Sequence, residues 1–93
     1  MDNMEKRGFK IGTIVRHFKG GLYKIVGKAE HTETKESLVI YEQLYAPFNT
    51  YARPEEMFCS PTEMDKYPNA KQRWRMEKWN GDVNTIKNGY QPD

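Results

Sequence analysis

A chain of 93 residues allows one domain and leaves no room for two. A domain this small buries about 60–65% of its unfolded surface at best, which excludes large substrate clefts and self-contained dinucleotide-binding folds. Fifteen Lys and Arg against thirteen Asp and Glu give a net charge of +2, which permits a nucleic-acid partner without requiring one. Mean hydropathy is low at −0.97, yet an aromatic share of 13% is too high for a disordered chain.

Residues 1–10 are charged and lack an apolar run, so they read as a mobile arm rather than a signal peptide. No stretch is long and apolar enough for a membrane span, and a cytoplasmic location is the expectation. Residues 13–18 form a short β-rich segment. Gly20 and Gly21 then mark a turn, because glycine reaches positive φ without steric cost. Residues 22–29 alternate, with Tyr23, Ile25, Gly27 and Ala29 on one face, which predicts the second strand of a hairpin. A polar loop over 30–36 leads to residues 37–45, β-branched and aromatic with apolar side chains on both faces, hence a central strand. Residues 50–53 give a short strand stopped by Pro54. Residues 54–58 suggest one helical turn, with Met57 and Phe58 plugging one end of the core.

The character changes after Pro61. Trp74 and Lys78 are four apart, and Met76 and Trp79 three apart, so residues 71–79 predict a short helix that stops at Asn80 and Gly81. Residues 81–93 read as a flexible tail. Four short strands with glycine turns predict a mainly β fold: a small SH3-like β-barrel over residues 11–80, closed or flanked by the C-terminal helix. An antiparallel sheet with one packed helix is the alternative. Cys59 is the only cysteine, so there is no disulfide framework, and beside Phe58 it reads as a small buried hydrophobe.

A series of residues then carries a likeness. Arg16, His17, Lys19 and Gly20 are followed by Tyr23, then by Ala29, His31, Glu33 and Thr34. Leu38, Val39, Ile40 and Tyr41 precede Leu44 and Tyr45, and Ala52, Arg53 and Pro54 precede Met57 and Phe58. Over about residues 11–60 this series resembles the small bacterial and phage proteins of the domain of unknown function 1653 family. Tyr51 stands where that pattern has Trp, and Ala52 where it has Val. The resemblance implies a compact SH3-like barrel and no particular reaction. It also makes the polar positions His17, Lys19, His31, Glu33, Thr34 and Arg53 candidates for a site.

His17, His31 and Glu33 are metal ligands by type, but their spacing opposes a shared ion. With His17 opposite Tyr23, His31 lies eight residues further along a strand, ~26 Å at about 3.3 Å per residue. No metal or cofactor is expected. His31 and Glu33 share a strand parity suited to acid–base chemistry, yet no nucleophile lies near, so an enzyme is the weaker reading. Arg53 is placed either to pair with Glu33 or to clamp an anion. The favoured reading is a binding module in which His17, Lys19, Tyr23, His31, Glu33 and Arg53, rimmed by Tyr45 and Tyr51, take nucleic acid or a small polar or anionic ligand. A protein partner docking on a strand edge or aromatic groove is the alternative. Residues 66–79 hold five cations against the one carboxylate of Glu77, making Arg73, Trp74, Arg75 and Lys78 candidate nucleic-acid contacts. The plainer reading packs Trp74 on the domain and solvates those charges. No oligomeric state follows from the residues.

Overall fold

A computed structural model describes residues 3–81. In chain order it contains α1 (Asn3–Lys6), β1 (Ile14–His17), β2 (Leu22–Glu30), β3 (Ser37–Gln43), β4 (Thr50–Pro54), α2 (Glu55–Phe58) and β5 (Met76–Lys78). All five strands join one antiparallel sheet in the order β4-β3-β2-β1-β5. The fold is mainly β, as expected, but the sheet is open: β4 and β5 occupy opposite edges and the closed SH3-like barrel is not formed.

The first hairpin turns where the glycines require it. Gly20 has φ +109°, its N–H donates to the His17 carbonyl at 2.8 Å, and the His17 N–H donates to the Gly21 carbonyl at 2.8 Å. The turn is centred one residue earlier than the sequence suggested, so Val15, rather than His17, stands opposite Tyr23. Further along β2 the register shifts between Ile25 and Gly27. This bulge inserts Val26 and inverts every later side chain. Gly27 and Ala29 therefore do not continue the Tyr23–Ile25 face. Gly27 pairs with Ile40, and Lys28 pairs with buried Val39 and turns onto the covered face.

That face is the core. Val15, Ile25, Val39, Tyr41 and Met76 point into it from the strands, and Met4, Phe9, Phe58 and Cys59 cover it. Phe58 is fully buried, whereas Met57 of the same turn is exposed, so only one of the two expected plugs reaches the core. The burial of Cys59 agrees with its reading as a small hydrophobe. The described part of the expected N-terminal arm is instead packed. Asn3–Lys6 make one helical turn, and Met4 and Phe9 sit at 3% and 4% exposure. Two apolar residues among charges show no periodicity, which is why this anchor was hidden.

Polar contacts fasten the cover. The buried Glu55 carboxylate accepts the Met4 N–H at 3.0 Å and meets Lys28 Nζ at 3.3 Å. Arg7 donates to the carbonyls of Cys59 at 3.3 Å and Met76 at 2.7 Å. Its guanidinium lies 4.3 Å from the Trp74 ring centroid and 4.9 Å from that of Phe9.

The expected C-terminal helix is absent. Residues 76–78 form an edge strand against β1, continued by bonds from Phe18 N–H to Arg75 O and from Trp79 N–H to Ile14 O. Trp74 makes an isolated bridge with Pro61, which closes the intervening loop. Spacings of three and four within a few residues cannot separate helix from strand, and the unpaired edge of β1 decides the outcome. The expected flexible tail lies, beyond Gly81, outside the described residues. Among those residues no helix is long and apolar enough to cross a membrane.

Phe9→Ala is expected to destabilise the protein by about 3 kcal/mol or more, read from urea unfolding. Ile11→Ala, at a residue 69% exposed, should change stability by no more than about 0.5 kcal/mol. A free N-terminal arm would leave both variants unchanged.

Candidate functional site

At the glycine-turn end of the covered face the aromatic residues gather. Tyr41 is their hub, its ring centroid lying 5.4 Å from Tyr23, 5.8 Å from Tyr51 and 5.1 Å from Phe58. The Tyr23 and Tyr45 rings are 5.7 Å apart and their hydroxyls share a 2.7 Å hydrogen bond. Gly21 makes this possible, since a Cβ there would stand 2.7 Å from the Tyr45 ring and hydroxyl. Arg53 Nε donates to the Tyr41 hydroxyl at 3.2 Å. The loop after β3 is held by buried Gln43, whose Oε1 accepts the Asn49 N–H at 3.1 Å, and Asn49 Nδ2 donates to the Tyr51 hydroxyl. Tyr41 is buried and Tyr45 half-buried, while Tyr51 is 39% exposed and forms the outer rim.

His17 stands at the other side of Tyr23, with ring centroids 6.5 Å apart. Its Nδ1 accepts the Lys19 N–H at 3.1 Å, so the proton of the neutral ring belongs on Nε2. Burial pushes the imidazole down to about 4, and the positive charges of Arg75, Arg53, Lys19 and Arg16 push the same way. It is uncharged at neutral pH. Burial also pushes the Tyr23 phenol up, helped by its bond to Tyr45, so that hydroxyl stays protonated. Arg75 is steadied by Ser60 Oγ at 3.2 Å and by exposed Glu63 at 3.4 Å. The result is a patch of neutral phenols and one neutral imidazole in a field of cations.

Of the residues singled out in the sequence, the structure brings together His17, Tyr23, Tyr45, Tyr51 and Arg53. It adds Arg75, which the sequence grouped with a separate surface. Lys19 acts on His17 through its charge while its ammonium lies 5.1 Å from the Tyr67 ring centroid. His31 and Glu33 are not part of the cluster, because they lie past the far end of β2. His31 Nδ1 accepts the backbone N–H groups of Glu33 and Thr34, and His31 closes its own turn with Lys35 and Glu36. The imidazole thus meets the backbone of Glu33, and Arg53 bonds Tyr41. Trp74 is half-buried against Arg7, with exposed Arg73 5.9 Å from its ring centroid, and Lys78 lies on the β5 edge. Among the described residues no group of three or more His, Cys, Asp or Glu is placed to hold a metal.

Sequence reasoning missed Ser60 and Glu63 as supports for Arg75, and Gln43 as the clamp of the loop. The first pair depends on how the loop from 61 to 75 closes, which leaves no local signal. Gln43 was detectable as a polar residue on the inward parity of the strongest strand.

Fold and site define a small mainly β protein with one open antiparallel sheet and an aromatic, cation-ringed patch. The family described as Protein of unknown function (DUF1653) matches residues 13–76, more than half of the chain, and the chain belongs to that family. The match extends beyond the resemblance read from residues 11–60. It therefore includes the segment that carries Arg75, and leaves α1, Arg7 and Phe9 outside. No curated protein and no solved structure matches the chain significantly.

The imidazole of His17 is expected to titrate near pH 4 in the folded protein, against 6.5 when unfolded. Between those values the unfolded chain holds more protons. Stability should therefore be unaffected by this group above about 6.5 and should fall as pH drops toward 4. Urea midpoints across that window should show a shallower acid-side decline in His17→Gln.

Proposed function

We propose that the chain is a non-enzymatic binding module for nucleic acid or a nucleotide-like ligand, with a planar base against Tyr45 and Tyr51 and a phosphate facing Arg53 and Arg75. The observation that carries this reading is the Arg53 guanidinium held on the Tyr41 hydroxyl beside the Tyr23, Tyr45 and Tyr51 rings, with the charges of Arg75 and Lys19 also acting on His17. Such a field repels cationic ligands, which separates the patch from an aromatic cage for a methylated ammonium. The Nε bond to Tyr41 orients Arg53, and its terminal nitrogens have no acceptor among the described residues. Neutral donors at His17 Nε2 and the tyrosine hydroxyls suit the edge of a base. A catalytic reading has less support, since Cys59 is buried and His31 Nδ1 is occupied by backbone donors.

One observation favours a second reading. Residues 50–52 of the edge strand β4, Tyr51 among them, are exposed and follow Phe48 at 65% exposure, a surface that an extended peptide could join by strand addition. Salt separates the two, because phosphate contacts weaken steeply with ionic strength and an apolar groove does not.

Amide NMR spectra recorded during titration with short single-stranded and duplex oligonucleotides test the proposal. Shifts are expected at His17, Tyr23, Tyr51 and Arg53, fading as salt rises. Arg53→Gln should weaken single-strand binding and lower the log–log salt slope by about 0.7. Tyr51→Ala should cost about 1–3 kcal/mol of affinity. Oligonucleotides that leave these amides unmoved at millimolar concentration would overturn the reading.

A further inference from the structure

The loop between Ser60 and Arg75 is closed at its base by backbone and side chains together. The Arg75 N–H donates to the Ser60 carbonyl at 3.0 Å, and the Arg75 carbonyl accepts the Phe18 N–H at 3.0 Å. Ser60 Oγ donates to the Met57 carbonyl at 2.6 Å, which leaves its lone pairs for Arg75 Nε. Buried Thr62 donates its N–H to the Arg73 carbonyl and its hydroxyl to the Gln72 carbonyl, both at 2.8 Å. Glu63 follows directly, and its carbonyl accepts the N–H groups of Lys66 at 3.0 Å and Tyr67 at 2.9 Å. The main chain is thus pinned on both sides of Glu63, while its side chain stands in solvent.

That side chain reaches a cation of the patch. Glu63 Oε1 accepts from a terminal nitrogen of Arg75 at 3.4 Å, a long contact between a guanidinium side chain 16% exposed and a carboxylate side chain 60% exposed. An ion pair of this kind adds little to stability. Arg53 and Lys19, the other cations beside the patch, have no carboxylate within ion-pair distance among the described residues. We propose that Glu63 is an internal competitor for the anionic ligand of the patch, holding Arg75 in the free protein and yielding it to an arriving phosphate. A phosphate can take a guanidinium through two parallel hydrogen bonds, whereas Glu63 meets a single nitrogen. The displaced carboxylate returns to water without moving the pinned main chain. This proposal rests on the reading of the patch as a phosphate-binding surface, and adds the residue that regulates its affinity.

A short fluorescein-labelled single-stranded oligonucleotide, titrated with the full chain at low salt and followed by anisotropy, provides the test. Glu63→Gln keeps the size and removes the charge, and binding is expected to tighten about threefold or more. Glu33→Gln, in the turn past the far end of β2, makes the same change in net charge and should leave the affinity within about 1.5-fold. Both glutamates are exposed, so these variants should fold as the parent does. In an Arg75→Gln background the Glu63 substitution should bring no gain, which a double-mutant cycle reads directly. A parent that binds as tightly as Glu63→Gln, or an equal gain in Glu33→Gln, would overturn the proposal and leave the reading of the patch standing. Absence of binding by the parent and by both glutamine variants would remove the reading and the proposal together.

Discussion

The Glu55 carboxylate, 4% exposed, is the point at which the cover meets the sheet. It begins α2, accepts the Met4 N–H of α1 and pairs with Lys28 of β2. Lys28 reaches it because the bulge at Val26 inverts the end of β2 onto the covered face. Removing Lys28 would leave the buried Glu55 carboxylate without its cation, whereas the Lys28 side chain is partly exposed and would lose less by the removal of Glu55. Arg7 fastens the other end of the same segment, bonding the carbonyls of Cys59 and Met76. Opposite charges thus tie two four-residue turns across an open sheet too small to be sealed by apolar area alone.

This cover sets the shape of the aromatic patch. Phe9, Phe58 and Met76 fill the middle of the covered face. Tyr41 belongs to both regions, with its ring against Phe58 on one side and Tyr23 on the other. The patch therefore inherits its rigidity from the core, and the hydroxyls are oriented by the Tyr23–Tyr45 and Arg53–Tyr41 bonds. Rings held this way have little rotamer freedom left to lose.

The strands of the two hairpins were legible because period-two alternation survives in short segments, and Gly20 and Pro54 mark their ends. The features that position the site were less so. The bulge leaves Gly27 as its only mark, since Val26 and Lys28 fit either register. β5 shows three residues of pattern, too few to oppose the helical spacing of Trp74, Met76, Lys78 and Trp79. Whether a curved meander closes depends on its edges finding each other, which residue type does not encode, so the barrel was a fair inference from strand count and still incorrect. His31 and Glu33 looked like chemistry because a histidine and a carboxylate two apart suit proton transfer. Their turn uses the imidazole as a backbone acceptor instead.

β1 is four residues long, yet it serves both faces of the sheet, with the Arg16 guanidinium on one and the neutral His17 imidazole on the other. Arg16 lines a cleft with Gln72 and Glu77 and is also among the cations that depress His17. Burial acts first on His17, followed by Arg75, Arg53 and Lys19, with Arg16 behind them. The cation across the sheet is thus the weakest of the four that act on the imidazole. The two faces of β1 are adjacent in sequence yet chemically separate, one carrying the Arg16–Gln72 hydrogen bond and the other the edge contact of His17 with Tyr23.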